Sequence, residues 1–358
     1  MTFIRNLWYV AAWTTELDAA RPIGRTIIGE PIVLYRKADG AVVAMEDRCP
    51  HRHAPLSLGR IEGDDLKCMY HGLKFGPDGA CNHVPGSDII PPNSTARTFP
   101  VVERSSWIWV WMGDPARADS KDVLHATGLE DPQWLMREGA IDYAANYELI
   151  NDNLCDLSHL DYTHETTLGR ATGARWSHEM PKITPIENGL RFERWFPAAT
   201  AGPKAREPVD SWSAYRYLLP GIFLLNTVQY PVGTAAKRGF GPPTGTDVPV
   251  FRRAEQQAVT PKTATETRYL FATGVDARMA DPTTLDARYG VIAAAFAEDK
   301  VMIEAQQKIW NQTAPDRPRA FIPQDKAPAH FRRLIERRLA ADAAPTPPTS
   351  VLQGALEG

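Results

Sequence analysis

The chain has 358 residues, 43% of them hydrophobic and 23% charged, with 40 Lys and Arg against 43 Asp and Glu and a net charge of −3. That length and mixture suit one large or two ordinary domains with a sizeable core, and the scattered basic residues argue against a nucleic-acid-binding face. Four cysteines in so long a chain exclude a secreted disulfide framework. No apolar run reaches the roughly 18–20 residues of a membrane span, so a cytoplasmic protein with no membrane contact is expected.

The opening "MTFIRNLWYVAAWTTELD" carries a short apolar run, Leu7 to Trp13, without a strong basic leader or a convincing cleavage site, and reads as structure rather than signal peptide. Residues 1–112 are β-rich. "IVLYRKADGAVVAMED" is two apolar runs around Ala-Asp-Gly, a hairpin signature, and "LKCMYHGLKFGPDGACNHV" repeats it around Pro-Asp-Gly. In "SWIWVWMGDP" the strand alternation puts Trp107, Trp109 and Trp111 on one face and Ile108 and Val110 on the other, the tryptophan face reading as packing, with an interface or a pocket wall as the alternative. The Asp-rich stretch 114–132 reads as a linker. Residues 146–164 read helical, 182–275 carry strands, and the Gly/Pro-rich 231–250 between them reads as a long mobile loop. A long helix is expected over 283–311. The Ala/Pro-rich end, 342–358, reads as disordered.

Two constellations carry the chemistry. Cys49 and His51 form C-x-H; sixteen residues later Cys68 and His71 form C-x-x-H, each pair at the end of a strand-like run before a Pro/Gly-rich turn. Two thiolates and two imidazoles suit a structural zinc or a [2Fe–2S] cluster with Cys on one iron and His on the other. Zinc fingers usually keep their cysteines in one pair and histidines in the other, whereas here each loop supplies one of each. The spacing closely resembles a Rieske centre. His53 lies outside the pattern and reads as a loop histidine; Cys81 and His83 mimic C-x-H without a partner pair and read as ordinary strand residues.

The second constellation lies in "INDNLCDLSHLDYTH", where Asp156, His159 and His164 read D-x-x-H-x₄-H. A spacing of five between the histidines is about 500° of helical rotation, so the two cannot share a helix face unless a π-bulge or a helix end intervenes. In the long helix, Leu285, Tyr289, Ile292, Phe296 and Ile303 form an apolar stripe, and Asp299 falls on it. A carboxylate on a buried stripe is costly unless paired or metal-bound. Glu298 lies about 100° away from that stripe. Asn153 shares a face with Asp156, while Cys155 lies off it and reads as packing.

Together these motifs resemble a Rieske non-haem iron oxygenase. "FIRNLWYVAAW", "YHGLKF", "VVERSSWIWVWMGDP" and "NYELINDNLCDLSHLDYTH" resemble in particular the vanillate O-demethylase branch, which includes dicamba and toluenesulfonate oxygenases. The fold implied is α+β: an all-β Rieske [2Fe–2S] domain over 1–118, then a helix-grip-type α+β catalytic domain over 119–341. The resemblance implies a cluster on Cys49, His51, Cys68 and His71, and a mononuclear Fe(II) on His159, His164 and Asp299, two His and one carboxylate that leave positions open for O₂. It also implies a homotrimer in which Asp156 bridges His71 of one chain and His159 of the next, with Asn153 hydrogen-bonding near the iron. Electrons would come from NAD(P)H through a separate flavin and iron–sulfur reductase. The expected reaction is O-demethylation of a methoxy-substituted aromatic acid with O₂, giving a phenol and formaldehyde. Hydroxylation of a methyl group or ring is the alternative within the class, and a Rieske electron carrier without catalysis the alternative outside it. For the substrate itself, Asn226, Gln257 and Arg216 are the candidate contacts.

Overall fold

The computed structural model describes residues 3–169, 175–200, 207–314 and 316–343. The N-terminal third is built of three small antiparallel sheets. The first pairs Trp8–Trp13 with Trp107–Trp111 and the latter with Val101–Arg104. The second is the first predicted hairpin, Glu30–Arg36 with Val42–Glu46, flanked by Ile23–Ile27 and Thr98–Phe99. The third carries the second hairpin, Lys74–Phe75 with Cys81–His83, beside Asp65–Lys67 and Arg60–Glu62. Its turn needs glycine at position 79, where φ is +81° and a Cβ would strike the carbonyl of Ala96.

The rest of the described chain is one antiparallel sheet of seven strands with helices on one face. Its strands are β1 (Trp134–Tyr143), β2 (Lys182–Ile186), β3 (Gly189–Thr200), β4 (Pro208–Leu218), β5 (Ile222–Pro231), β6 (Phe251–Thr263) and β7 (Glu266–Asp276). They lie in the order β1-β7-β6-β5-β4-β3-β2, so β1 crosses to the far edge and the others form a meander. The helices are α1 (Tyr147–Cys155), α2 (Pro282–Gln312) and α3 (Lys326–Ala343). The 31 residues of α2 span about 46 Å. Asp281 caps its start by accepting from the Thr284 amide, with Pro282 in the first turn. No helix among the described residues is long and apolar enough to cross a membrane.

The strand alternation of the tryptophans joins the two halves. Trp107, Trp109 and Trp111 pack on Leu218, Ile222, Leu224, Ala258, Leu270 and Ala272, the face of the large sheet away from the helices. Ile108 and Val110 point the other way, onto Ile32, Leu34 and Phe99. Each tryptophan removes roughly 150–250 Å² from water, on the order of 4–6 kcal/mol.

Two predicted loose segments are held. The 114–132 stretch is not a free linker: Asp114 and Asp119 cap two short 3₁₀ turns, and Val123, Leu124 and Leu129 pack into the tryptophan core. Asp114 and Asp119 serve as caps while remaining exposed. The 231–250 loop contains a helical turn, Thr234–Lys237. Asp210 accepts from the amides of Gly233 and Ala235, Arg238 pairs with Asp247 at 2.7 Å, and Trp195 donates to the carbonyl of Gly241. Those bonds give the segment defined contacts, where a mobile loop had been expected. Of the predicted tail, Asp342 belongs to α3 and accepts from the Arg5 amide; residues 344–358 lie outside the described residues.

Candidate metal centres

The first site forms at two loop tips with the same backbone design. The amide of Cys49 donates to Ala54 and that of His53 to the Cys49 carbonyl; the Cys68 amide donates to Leu73 and that of Gly72 to the Cys68 carbonyl. Gly72 sits at φ +82°, with Pro85 where a Cβ would be. Cys49 and Cys68 are buried beside Val33, Met45, Leu66 and Phe75. His51 and His71 stand at the surface, ring centroids 4.6 Å apart and edge to face. Burial pushes the Cys49 thiol up to about 11, opposed by the amides of His51 and Arg52 aimed at its sulfur. A buried sulfur pair supplied with amide donors and an outer imidazole pair is the donor set of a [2Fe–2S] cluster with His on the outer iron. Cys81 is buried in the same core, with its thiol 3.5 Å from the His83 carbonyl, and His53 is exposed, as ordinary residues.

The second site sits where the helical reading of 146–164 breaks. α1 ends at Cys155, and Asp156 is extended, φ −127° and ψ 100°. Asp156 is therefore not one turn from His159 on a common helix; its carboxylate caps the next element, a 3₁₀ helix at Leu157–Asp161, by accepting from the amide and hydroxyl of Ser158. That helix carries His159 and stops before His164, the helix end that a spacing of five requires. Its last residue, Asp161, accepts from the amides of Trp176 and Ser177, tying the segment down.

His159 Nε2, His164 Nε2 and Asp299 Oδ1 converge: Asp299 lies 3.6 Å from the first and 3.2 Å from the second, and the three ligand atoms fall within 4.8 Å of one another. Asp299 is 5% exposed on the buried face of α2. The histidines turn the same nitrogen inward because the other is engaged. His159 Nδ1 donates to the Asp156 carbonyl at 2.6 Å, and His164 Nδ1 to Glu298 at 2.8 Å. Both partners only accept, so each Nδ1 carries the proton and each Nε2 offers a lone pair. Asn153 donates to Asp299 Oδ1 at 3.0 Å and lies 3.2 Å from His159 Nε2. Burial lowers the pKa of His159 against the pull of Asp299, favouring the neutral ligand form. Burial also opposes charge on His164, but Asp299 and Glu298 raise it overall. Two imidazoles and one carboxylate suit a ferrous ion with open positions.

A cavity lies against this triad, walled by Phe223 and Leu225 of β5, Ile292 and Phe296 of α2, and Leu157 and Leu160. Gln257 is on its wall, its amide oxygen accepting from the Tyr269 hydroxyl at 2.6 Å. Asn226 and Arg216 are not. On β5 the odd residues face the cavity, so Asn226 points away and is exposed; Arg216 pairs with Leu224 on that same outer face. Both leave the set of candidate substrate contacts. Sequence reasoning missed Glu298, set aside for lying off the stripe, and the charged lining residues Arg253, Glu255 and Arg288. The polar alternation on β6 resembles a solvent-facing strand; its regularity was the available signal.

Fold and sites together define a Rieske oxygenase: an N-terminal cluster domain joined to an α+β domain with a 2-His-1-carboxylate centre. The Rieske [2Fe-2S] domain model matches residues 7–99, and that of the vanillate O-demethylase oxygenase C-terminal domain matches residues 143–341. The iron–sulfur subunit of a toluene-4-sulfonate monooxygenase system of Comamonas testosteroni is 40% identical, over 97% of this chain and all of the relative. The vanillate O-demethylase oxygenase subunit of Pseudomonas sp. (strain HR199) is 34% identical, over 95% and 96%. A crystal structure of dicamba monooxygenase with non-heme iron and dicamba matches at TM-score 0.79 and 31% identity, covering 96% of this chain and 99% of that one. The chain belongs to the vanillate O-demethylase oxygenase family of Rieske non-haem iron oxygenases.

Proposed function

We propose that this chain is the oxygenase component that hydroxylates a methyl carbon borne by an aromatic acid, the methoxy carbon of a vanillate-like substrate first among them. The observation that carries the reading is the triad of His159, His164 and Asp299 opening onto a largely apolar cavity with aromatic walls. Iron on these three side chains would supply O₂ binding and carbon oxidation, and the cluster on Cys49, His51, Cys68 and His71 would supply electrons. The chain's own residues do the rest. Phe223, Ile292 and Phe296 position the ring and exclude water, and Asn153 and Glu298 hold the ligands. In a homotrimer, the half-buried Asp156 carboxylate would accept a hydrogen bond from His71 of a neighbouring subunit.

One oxygen atom enters a C–H bond; the other leaves as water, with two electrons from NAD(P)H through a separate flavin and iron–sulfur reductase and two protons. Hydroxylated methoxy carbon is a hemiacetal, which collapses to a phenol and formaldehyde. Ring-methyl hydroxylation is the second reading, favoured by the 40% identity to the toluene-4-sulfonate system. Purified protein with a surrogate reductase should consume NADH and release formaldehyde from methoxybenzoates. A benzylic alcohol from toluene-4-sulfonate without formaldehyde would support the second reading, and oxidation of neither substrate would overturn the first and second alike.

A further inference from the structure

Arg253 is a partly buried cation with no partner among the described residues. No hydrogen bond or ion pair reaches its guanidinium among the described residues, and its Nε is sealed from solvent. The nearby acid is already taken: Glu255 is paired with Arg288 Nη2. Arg288 in turn keeps a buried, unpartnered Nε. All three side chains line the cavity that faces the iron triad. Two guanidiniums against one carboxylate leave that part of the wall one positive charge in excess, and a partly desolvated charge without a partner is costly unless something arrives to pair it.

Two independent rulers place this charge at the far end of the cavity. Arg288 precedes Asp299 by eleven residues, about three turns, which keeps it on the same face of α2 and about 16 Å along the axis. Arg253 precedes Gln257 by four residues on β6, about 13 Å. Gln257 is at the iron end, because it holds the hydroxyl of Tyr269, whose ring stands edge-on to Phe296 at 5.2 Å. Between the ends lie Phe223, Leu225, Ile292 and Phe296, apolar and suited to a ring.

We infer that Arg253, with Arg288 held in place by Glu255, is the anchor that selects a monoanionic arene and seats its carboxylate or sulfonate at the end of the cavity opposite the iron. The inference rests on the proposed reading that the substrate is an aromatic acid, and assigns the recognition of its charge to these residues. A guanidinium suits both planar and tetrahedral oxyanions because its fork can give two parallel hydrogen bonds. Burial and the like charge of Arg288 bring Arg253 down to about 9, so it still carries its proton at neutral pH.

Binding rather than turnover tests the anchor. Calorimetric titration of the iron- and cluster-loaded, unreduced protein would compare 4-methoxybenzoate and toluene-4-sulfonate with their neutral amides, 4-methoxybenzamide and toluene-4-sulfonamide. The wild-type protein should prefer at least one acid over its amide. Arg253→Gln should weaken that acid roughly 30-fold or more while leaving its amide within about twofold, and Arg253→Lys should fall between. Of the two acids, the one with the larger Arg253-dependent loss is the head-group class the anchor serves. Wild-type protein without preference for either acid would overturn the inference whatever the variants do. So would an equal loss of acid and amide in Arg253→Lys, the variant least able to disturb the fold. Turnover of methoxybenzoates with Arg253-independent binding would remove the anchor and leave the reaction standing; Arg253-dependent acid binding without any methyl oxidation would do the reverse.

Discussion

Glu298 accepts a hydrogen bond from His164 Nδ1 at 2.8 Å, and the threonine hydroxyl of Thr167 donates to the same carboxylate at 2.7 Å. Burial works against the charged carboxylate, but His164 and Thr167 more than offset it and keep Glu298 ionised. Glu298 thus sets which nitrogen of His164 faces Asp299, the neighbour of Glu298 in the chain. Glu298→Gln can still accept through its amide oxygen but loses the charge. We expect it to weaken iron retention about 10–100-fold, read as iron lost to a chelator, with the cluster spectrum unaltered. Unchanged retention would show that orientation by any acceptor suffices.

Asp299→Ala removes the only anionic member of the triad. The variant should keep the reduced-cluster paramagnetic signal, bind no mononuclear iron, and lose substrate-coupled turnover. Metal content per chain and single-turnover product yield check it. Full activity would take Asp299 out of the ligand set.

Asp156→Asn retains the Ser158 cap, since an amide oxygen can accept, and leaves the carbonyl bond to His159 untouched. Both metals should therefore remain loaded. Cluster reoxidation by O₂ in the presence of substrate should slow by at least tenfold in stopped flow if this carboxylate carries the bridge between subunits. Reoxidation at the wild-type rate would assign Asp156 to capping alone.

Asp276, at the end of β7, should contribute to acid stability. The Arg278 guanidinium, 2.8 Å away, outweighs burial and draws its pKa from 3.8 to about 2, with Arg252 assisting at 3.2 Å. A depressed folded-state value means that the stabilisation is complete above about pH 4 and is lost as pH falls towards 2. Asp276→Asn should lower stability near neutrality and flatten the loss between pH 4 and 2. Urea midpoints of both proteins at pH 7, 4 and 3 measure it, and parallel curves would contradict it.

What the sequence by itself determined is whatever depends on spacing along one element. Two residues between Cys68 and His71 make a loop tip whichever way the rest of the chain turns, and the period of α2 puts Asp299 among Ile292, Phe296 and Ile303. The tryptophan alternation likewise divided into two faces as read. Tertiary structure alone decided what each face meets. A strand face bearing Arg253, Glu255 and Gln257 looks solvated from its polarity, and became a cavity wall because α2 crosses above it. Asn226, polar among apolar neighbours, looked inward but had the wrong parity. Glu298, off the stripe by about 100°, still reached His164 because that histidine approaches from another segment, more than a hundred residues away in the chain. Side-chain period reports direction within an element, while the identity of the neighbour is set by packing between elements, which no local pattern encodes.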